Sequence, residues 1–518
     1  MRLMLIIFSL LLLGLVSCAN QPSPPLELTP FVTLTPAPPT PLPTPTPLAT
    51  PDFSPYFAAI KSEYSDDIGQ AAASGVTRYQ IIARLMPDSL TPPASPQIQA
   101  AMRVCYTNTE TVLLNQVYFR LFPNTPGYEG QMTVSEVRVE GLPVGPALVS
   151  EESALLVPFH HALEPGQSVQ IDMIYQTTLP TSTGPGNGLF GYDLNILSLA
   201  GFYPTIAVFD QNGWHVEVAP HFVDAVYSDV ALYEVAFTVP AEMMVVTSGS
   251  IVRTLPQPDG SKTIEAVGGP MRDFFVAMSP NFQHLNRVVN GTVVSSYFPA
   301  GNEAKGRLAL EVGAQTLDLF EQLFGPYPYQ EFDLVAVPQP ASLGGVEYPG
   351  LVALAERYYS GDDSLMEFVT AHEVAHQWWY GLVGNDPVTH PWLDEALAQY
   401  SVVHYFETRY GPHMRSGTIQ QMFTPYHWHL RDTGADRPVS GPATGFSEPL
   451  YFPVVYGKGP LFFEAVRTRL GDQAYLAALS QYAARFRYGI AQPEDLLNTL
   501  AEVGGQPVDD LYRDWILE

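Results

Sequence analysis

Residues 364–381 read SLMEFVTAHEVAHQWWYG and contain the pattern H-E-x-x-H. Ser364 precedes Glu367 by three residues, which is the spacing of a capping box at the start of a helix. We therefore expect a helix of about four to five turns, with His372 and His376 in its middle. Residues four apart lie on one face of a helix, so the two imidazoles can reach a single metal ion.

A catalytic zinc ion takes three protein ligands and keeps one position open for water. Glu395 is the candidate third ligand, since it falls in the first turn of a second predicted helix over residues 391–410, where the helix dipole favours a carboxylate. The connection between the helices is short enough to bring that turn beside the histidines. Glu373 lies about 100° round the first helix from His372, close enough to reach a water molecule without occupying the metal. The sequence therefore predicts one zinc ion per chain, with Glu373 as the general base.

The chain before this stretch has a different pattern. Apolar residues alternate with period 2 in residues 169–175 and 233–239, which is typical of half-buried strands. We predict a multidomain α+β protein: an N-terminal helical segment over residues 56–97, an antiparallel β-sandwich or saddle-shaped domain over residues 98–295, and a mostly helical catalytic domain over residues 296–518. A strand and an edge strand are expected early in the catalytic domain.

The first 55 residues indicate export and anchoring. One arginine and an apolar run precede the sequence L-V-S-C that ends at Cys18, and residues 1–18 resemble a bacterial lipoprotein signal peptide. An ordinary secretory signal or an uncleaved anchor is the alternative. Residues 19–55 are rich in proline and threonine, which predicts an extended spacer. We therefore expect an extracytoplasmic protein, held at a membrane by a lipid on Cys18.

The composition excludes one class of partner. The chain has 52 acidic and 24 basic residues. Nucleic-acid phosphates call for a basic surface, so we expect no nucleic acid as a partner. No sequence feature indicates an obligate protein partner. Peptide substrates and the membrane remain as the expected partners.

Four motifs together resemble the gluzincin site of the aminopeptidase N family, peptidase family M1. The first is residues 372–376, followed after eighteen residues by Glu395. Residues 392–396 (W-L-D-E-A) are similar to the W-L-N-E-G of the family. Residues 344–348 (G-G-V-E-Y) resemble its G-x-M-E-N, and residues 456–459 (Y-G-K-G) resemble its Y-x-K-G.

This resemblance implies a thermolysin-like zinc peptidase that removes residues from the N-terminus of peptides. In the family, the tyrosine equivalent to Tyr456 hydrogen-bonds the transition-state oxyanion. The glutamate equivalent to Glu347 binds the free α-amine of the substrate. Gly344 and Gly345 accompany that glutamate on the substrate-binding strand. The resemblance covers most of residues 300–518.

Departures from the family pattern keep other functions open. Tyr348 replaces the asparagine of G-x-M-E-N, and Val346 replaces its methionine. The β region has no clear counterpart of the family's second amine-binding glutamate, because residues 201–204 contain no carboxylate. The alternatives are a zinc endopeptidase, a hydrolase of another amide or of an epoxide, and an inactive binding protein that kept the fold. Blocking the amine of the substrate distinguishes the first two classes from an aminopeptidase.

Overall fold

The computed structural model describes residues 52–90, 94–182, 189–223 and 226–518. The predicted signal peptide, Cys18 and nearly all of the proline-rich spacer lie outside the described residues. Among the residues that are described, we find no helix with both the length and the apolar content that a membrane-spanning segment needs.

The first half of the described chain is built from strands. They are β1 (Thr77–Leu85), β2 (Gln97–Thr107), β3 (Leu114–Arg120), β4 (Gln131–Val139), β5 (Leu142–Pro143), β6 (Ala147–Val149), β7 (Ala154–Leu163), β8 (Ser168–Thr178), β9 (Phe190–Asp193), β10 (Ile196–Leu199), β11 (Thr205–Ile206), β12 (Phe209–Asp210), β13 (Gly213–Trp214), β14 (Ala231–Pro240), β15 (Met244–Thr247), β16 (Ser250–Pro256), β17 (Ser261–Met271) and β18 (Val276–Ser279). A helix, α1 (Ser65–Ala73), precedes them.

These strands form three larger sheets. An eight-stranded sheet has the order β16-β17-β14-β1-β2-β8-β4-β5, and two four-stranded sheets have the orders β15-β18-β10-β9 and β11-β3-β7-β6. Neighbouring strands are antiparallel except β1 and β14, which are parallel. The predicted period-2 stretches are both strands: β8 buries Val169, Ile171 and Met173 on one face, as the alternation requires.

The predicted helical segment over residues 56–97 is wrong for its second half. Only α1 is an α-helix there, and residues 77–85 form β1 in the middle of the large sheet. Alternate residues of this strand, from Tyr79 through Ile81 to Leu85, are buried in the core, so the period is 2 rather than 3.6. Its backbone is paired on both sides, and this pairing with distant strands overrides the local sequence signal.

The second half contains one sheet and most of the helices. The strands are β19 (Phe282–Val289), β20 (Thr292–Pro299), β21 (Glu331–Val337), β22 (Gly345–Tyr348) and β23 (Leu351–Ala355); the helices are α2 (Glu303–Phe324), α3 (Asp363–Ala375), α4 (Trp392–Tyr410), α5 (His413–Thr418), α6 (Thr424–Asp432), α7 (Glu448–Phe452), α8 (Gly459–Leu470), α9 (Asp472–Arg485), α10 (Pro493–Gly504) and α11 (Asp509–Tyr512). π-Helical turns at Ile419–Phe423, Pro453–Lys458 and Arg513–Leu517 continue α5, α7 and α11.

The five-stranded sheet has the order β19-β20-β21-β23-β22, which leaves β22 at its edge as the sequence predicts. The predicted domain boundary between residues 295 and 296 falls inside β20. Because β19 and β20 pair with each other and then with β21, both belong to the second half of the chain. The boundary therefore lies before residue 282.

One buried arginine of the β-rich half is tied to the helical half close to the predicted site. The Arg272 side chain is 1% exposed, and its Nε donates to the carbonyl of Tyr380 at 2.7 Å. A second guanidinium nitrogen donates to the carbonyl of Gly489, and a third to the carbonyl of Ser228 at 3.0 Å. These hydrogen bonds replace the water that a buried guanidinium lacks. They also fix the position of the β-rich half against the helical half.

Candidate metal centre and catalytic cleft

The start of α3 differs in detail from the prediction. Asp362 caps the helix, since its carboxylate accepts from the backbone N–H of Ser364 at 2.7 Å. Glu367 does not take part in a capping box. Its carboxylate instead accepts from the hydroxyls of Tyr405, at 2.8 Å, and Tyr410, at 2.7 Å. These bonds join α3 to α4, so the glutamate holds together the two helices that carry the predicted ligands.

The end of α3 also differs, because the helix stops at Ala375 and His376 follows its last turn. The prediction that both histidines lie in the middle of the helix is wrong. Beyond the helix, the chain turns so that the carbonyl of Trp379 lies 2.8 Å from Nδ1 of His376. A carbonyl only accepts, so Nδ1 carries the proton and Nε2 presents a lone pair. This is the arrangement that prepares a histidine for a metal ion.

The three predicted ligands converge on one point. Nε2 of His372 lies 3.1 Å from Nε2 of His376, and Oε2 of Glu395 lies 3.4 Å and 3.3 Å from these two nitrogens. Three ligand atoms about 2.0–2.1 Å from a tetrahedral zinc ion stand roughly 3.3 Å apart. The donor set and its spacing therefore fit zinc, and these residues form a candidate zinc site.

The charges around this point favour a cation. Burial lowers the pKa of the His372 imidazole, which keeps it neutral. Burial also opposes charging of His376, but the carboxylates of Glu347 and Glu395 outweigh it and raise its pKa well above its usual range. Without a metal ion Nε2 therefore also binds a proton, and a zinc ion would displace that proton to use the lone pair. All three ligand residues are at most 8% exposed. A buried carboxylate beside two imidazoles is stable only if positive charge accompanies it.

The predicted base, Glu373, faces the same cleft. A cavity of 380 Å³ is lined by Glu373, His372, Glu395, Glu347 and further residues of both halves. The backbone of β22 lies directly against this carboxylate, because a Cβ atom built on Gly345 would stand 2.4 Å from Cδ of Glu373. The predicted substrate-binding strand and the predicted base are therefore immediate neighbours.

Glu347 lies on β22 and is 6% exposed, with Oε1 3.8 Å from Nδ1 of His376. A second, small cavity of 30 Å³ lies on another side of Glu347 and is also lined by Tyr203, Asp273 and Tyr380. The hydroxyl of Tyr380 donates to Asp273 at 2.7 Å. Asp273 of the β-rich half therefore lines the same small cavity as Glu347, although no sequence motif marks this carboxylate.

Tyr456 lies in the π-helical turn between α7 and α8, close to the candidate zinc site. Its hydroxyl donates to Oε1 of Glu395, and its ring stacks on Phe452 with centroids 5.0 Å apart. Burial, followed by the negative charge of Glu395, raises the pKa of Tyr456 well above its usual value, so the hydroxyl keeps its proton. π-Helical turns recur at functional sites because they re-aim one side chain.

Gln377 is a residue of this region to which the sequence assigned no role. Its side-chain amide donates to the carbonyl of Tyr348 at 3.0 Å and accepts from the N–H of Gly350 at 2.9 Å. Tyr348 in turn stacks on Phe275, with ring centroids 4.1 Å apart. The sequence signal for a role of Gln377 was its position directly after His376. The partner turn, 27 or more residues away, was not predictable from that position.

Comparison with known sequences agrees with this geometry. Residues 308–515 match a family model described as Peptidase family M1 domain, and the segment includes the three ligands and Glu373. Aminopeptidase M1-B of Oryza sativa subsp. japonica is 28% identical over 309 residues, covering 55% of this chain and 34% of the relative. Leucyl aminopeptidase of Saccharolobus solfataricus is 25% identical over 246 residues, covering 43% of this chain and 30% of the relative. The chain thus spans about a third of the length of these curated relatives.

Comparison with solved structures agrees with the fold. The M1 zinc metallopeptidase of Deinococcus radiodurans superposes with a TM-score of 0.63 at 20% identity, covering 86% of this chain and 93% of that chain. This likeness confirms the predicted α+β class, a two-domain M1 metallopeptidase fold with a β-rich domain followed by a helical one. The family match and the relatives support peptidase family M1 for the helical half.

Proposed function

We propose that this chain is a zinc-dependent aminopeptidase that releases N-terminal residues from peptides. The observation that carries the proposal is one cavity of 380 Å³ lined by His372, Glu395, Glu373, Glu347 and Tyr456. Nε2 of the third candidate ligand, His376, lies 3.1 Å from Nε2 of His372. Each group required to bind, activate and orient a peptide bond is therefore within one cleft. The aminopeptidases among the sequence relatives support the same reaction.

Three residues hold the metal, and a fourth moves the proton. His372, His376 and Glu395 would bind zinc, which when present lowers the pKa of water and polarises a carbonyl. Glu373 accepts the proton of the attacking water, since its carboxylate is buried beside the ligands without being one of them. The same carboxyl group then passes the proton to the leaving amine.

Tyr456 supplies a hydrogen bond to the substrate. Its pKa is raised, so it is a donor across the working pH range. The hydroxyl donates to Glu395 when the cleft holds no peptide. We expect it to turn to the carbonyl oxygen of the substrate as negative charge develops there, a contribution of about 3–4 kcal/mol for a typical donor of this kind.

Glu347 makes the reaction an exopeptidase reaction. Its buried carboxylate lies beside the cleft and next to the ligand His376, at 3.8 Å. A substrate ammonium bound there would place the first peptide bond at the metal. β22 lies at the edge of its sheet, where an extended peptide can align as a further strand. The departures at Tyr348 and Val346 leave the backbone of this strand intact.

The β-rich half closes one side of the cleft. The ring of Phe222 packs against Tyr451 of α7 with centroids 5.5 Å apart, and Nε2 of His221 lies 3.6 Å from a carboxylate oxygen of Glu448. Phe222, Tyr451 and Glu448 all line the cavity. A cleft closed on one side suits the end of a peptide better than its middle, which supports an aminopeptidase over an endopeptidase.

We also propose that the protein is an extracytoplasmic lipoprotein anchored through Cys18. The apolar run before this cysteine and the proline-rich spacer after it support this proposal. The spacer would hold the catalytic body away from the membrane surface. Mass spectrometry of the intact protein from membranes tests it, since a diacylglycerol-modified Cys18 at the N-terminus is expected and an unmodified residue 1 or 19 contradicts it.

One experiment tests the aminopeptidase function directly. The full chain is incubated with one peptide in a free and an N-acetylated form, and mass spectrometry identifies each product. We expect stepwise loss of N-terminal residues from the free form alone. The Glu373→Gln protein is the control for a contaminating protease. Internal cleavage of both forms would identify an endopeptidase, and no cleavage by a zinc-loaded protein would indicate a different substrate class or an inactive binding protein.

A further inference from the structure

The charged groups that line the catalytic cavity are almost all negative. Four carboxylates take part, from Glu347, Glu373, Glu395 and Glu448. No lysine or arginine is among the described residues that line it. Residues 91–93, 183–188 and 224–225, which the structure does not describe, include no lysine or arginine in their sequence either.

Arg357, which precedes the lining residue Tyr358, is a candidate for a compensating cation but is already engaged. Arg357 stacks on Tyr358, which lines the cavity, with its guanidinium 4.9 Å from the ring centroid. Its nitrogens donate to four backbone carbonyls of the preceding loop, those of Gln339, Pro340 (at 3.0 Å), Ala341 and Leu343. Both terminal nitrogens of the guanidinium therefore donate to backbone carbonyls of this loop. Arg357 is therefore a structural residue of the cleft wall.

A bound zinc ion does not remove this imbalance. Two positive charges against four carboxylates leave the cavity with a net charge of −2. The ammonium group of a peptide substrate adds one positive charge, which brings the net charge of the cavity to −1. Any further negative charge that enters with the substrate is therefore repelled, most strongly beside the buried carboxylates Glu347, Glu373 and Glu395.

From these charges, and on the basis of the proposed aminopeptidase function, we infer that the cleft selects against dipeptides and accepts longer peptides. The carboxylate of a dipeptide belongs to the leaving residue and must enter the cavity with it. Each added residue moves the carboxylate about 3.3–3.6 Å further along the chain. The terminal carboxylate of a tetrapeptide therefore lies closer to solvent, where salt and water screen it.

The test compares four peptides with the full zinc-loaded chain: Ala-Phe, Ala-Phe amide, Ala-Phe-Ala-Ala and the amide of that tetrapeptide. At low ionic strength we expect kcat/KM for Ala-Phe amide to exceed that for Ala-Phe by about tenfold. The two tetrapeptides should differ by less than about twofold. The advantage of the dipeptide amide should shrink as salt is added.

A matched pair of variants links the effect to the cavity. Glu448→Gln removes a carboxylate from the cavity rim, and Glu242→Gln removes an exposed one on the loop between β14 and β15, which does not line the cavity. The first variant should reduce the preference for the dipeptide amide, and the second should leave it unchanged.

The outcomes separate this inference from the proposed function. Equal kcat/KM for Ala-Phe and its amide, with release of alanine from all four peptides, would overturn the inference and leave the aminopeptidase standing. A preference for the free dipeptide would overturn it as well and would indicate a cationic group that captures the carboxylate. Failure to cleave any of the four peptides would overturn both.

Discussion

The side-chain amide of Gln377, directly after the second zinc-binding histidine, donates to the backbone carbonyl of Tyr348 at 3.0 Å. The same amide accepts from Gly350 at 2.9 Å, so both ends of one buried side chain hold the turn that follows Glu347. The distance between the metal ligands and the proposed amine-binding carboxylate is therefore set by direct hydrogen bonds.

Replacement of Gln377 should change substrate binding more than metal binding. Gln377→Met keeps the volume and loses the hydrogen bonds to the buried backbone groups of Tyr348 and Gly350, at a cost of roughly 1–3 kcal/mol each. We expect KM for a free peptide to rise about tenfold or more, with kcat changed less and zinc content unchanged. Steady-state kinetics and metal analysis check this, with the exposed Gln473→Met as control. An unchanged KM would show that the turn does not position Glu347.

Replacing a zinc ligand and replacing the base should have different effects on the zinc content of the protein. His376→Ala and Glu395→Ala each remove one of three ligand atoms that lie within 3.4 Å of one another, so bound zinc should fall to background. Glu373→Gln should retain one zinc per chain and lose about 10²–10⁴-fold in kcat. Metal analysis and kinetics on the same preparations measure both. Retention of stoichiometric zinc by both ligand variants would rule out this site.

Tyr456→Phe should lower kcat with little change in KM. The hydroxyl has no covalent part in the reaction, and its removal leaves the stack on Phe452 in place. Loss of one oxyanion donor reduces kcat by about 10²–10³-fold. The variant should keep its zinc, because Tyr456 contacts Glu395 through Oε1 while Oε2 faces the histidines. A normal kcat would assign this tyrosine a packing role.

Stability should fall in mild acid because of a histidine outside the site. His404 is 3% exposed between aromatic rings, and burial, with the charge of Arg467 next, lowers its pKa to about 3. The unfolded chain binds a proton at this side chain below about pH 6.5 and the folded chain does not. The unfolded state therefore gains protons as the pH falls from 6.5 towards 3, and stability is lost in that window.

At pH 5.5 this one group should destabilise the protein by about 1.4 kcal/mol relative to pH 7.5. Denaturant unfolding at the two pH values measures the loss. His404→Gln has no titrating side chain at this position. The difference between the unfolding free energies of this variant at the two pH values should therefore be smaller by about 1.4 kcal/mol. An equal pH dependence in both proteins would mean that His404 is protonated when folded.

The zinc site was predictable because its signal is local. Two histidines four apart, a glutamate between them and a second helix after a short connection are all set by backbone geometry that one sequence encodes. The end of α4 at Tyr410 followed in the same way from the glycine and proline that come directly after it. Both ends of α3 were misplaced, since Asp362 caps its start and the chain after Ala375 turns so that the Trp379 carbonyl meets the His376 ring.

The features that the sequence did not reveal depend on contacts between distant segments. β1 reads as part of a helical segment until its partners β2 and β14 are known. The approach of Asp273 to the Glu347 cavity depends on the packing of one half of the chain against the other, which Arg272 fixes. Contacts between such distant segments leave no periodicity or residue spacing in the sequence from which they could be predicted.

Zinc-dependent release of N-terminal residues is the central claim, and a zinc titration followed by mass spectrometry tests it most directly. The full chain is stripped with a chelator and given increasing zinc, and the products of a free hexapeptide are identified at each step. We predict no cleavage without metal, and trimming from the N-terminus that rises linearly and stops rising at one zinc per chain. Cleavage that survives the chelator, or products cut internally at every zinc level, would contradict the account.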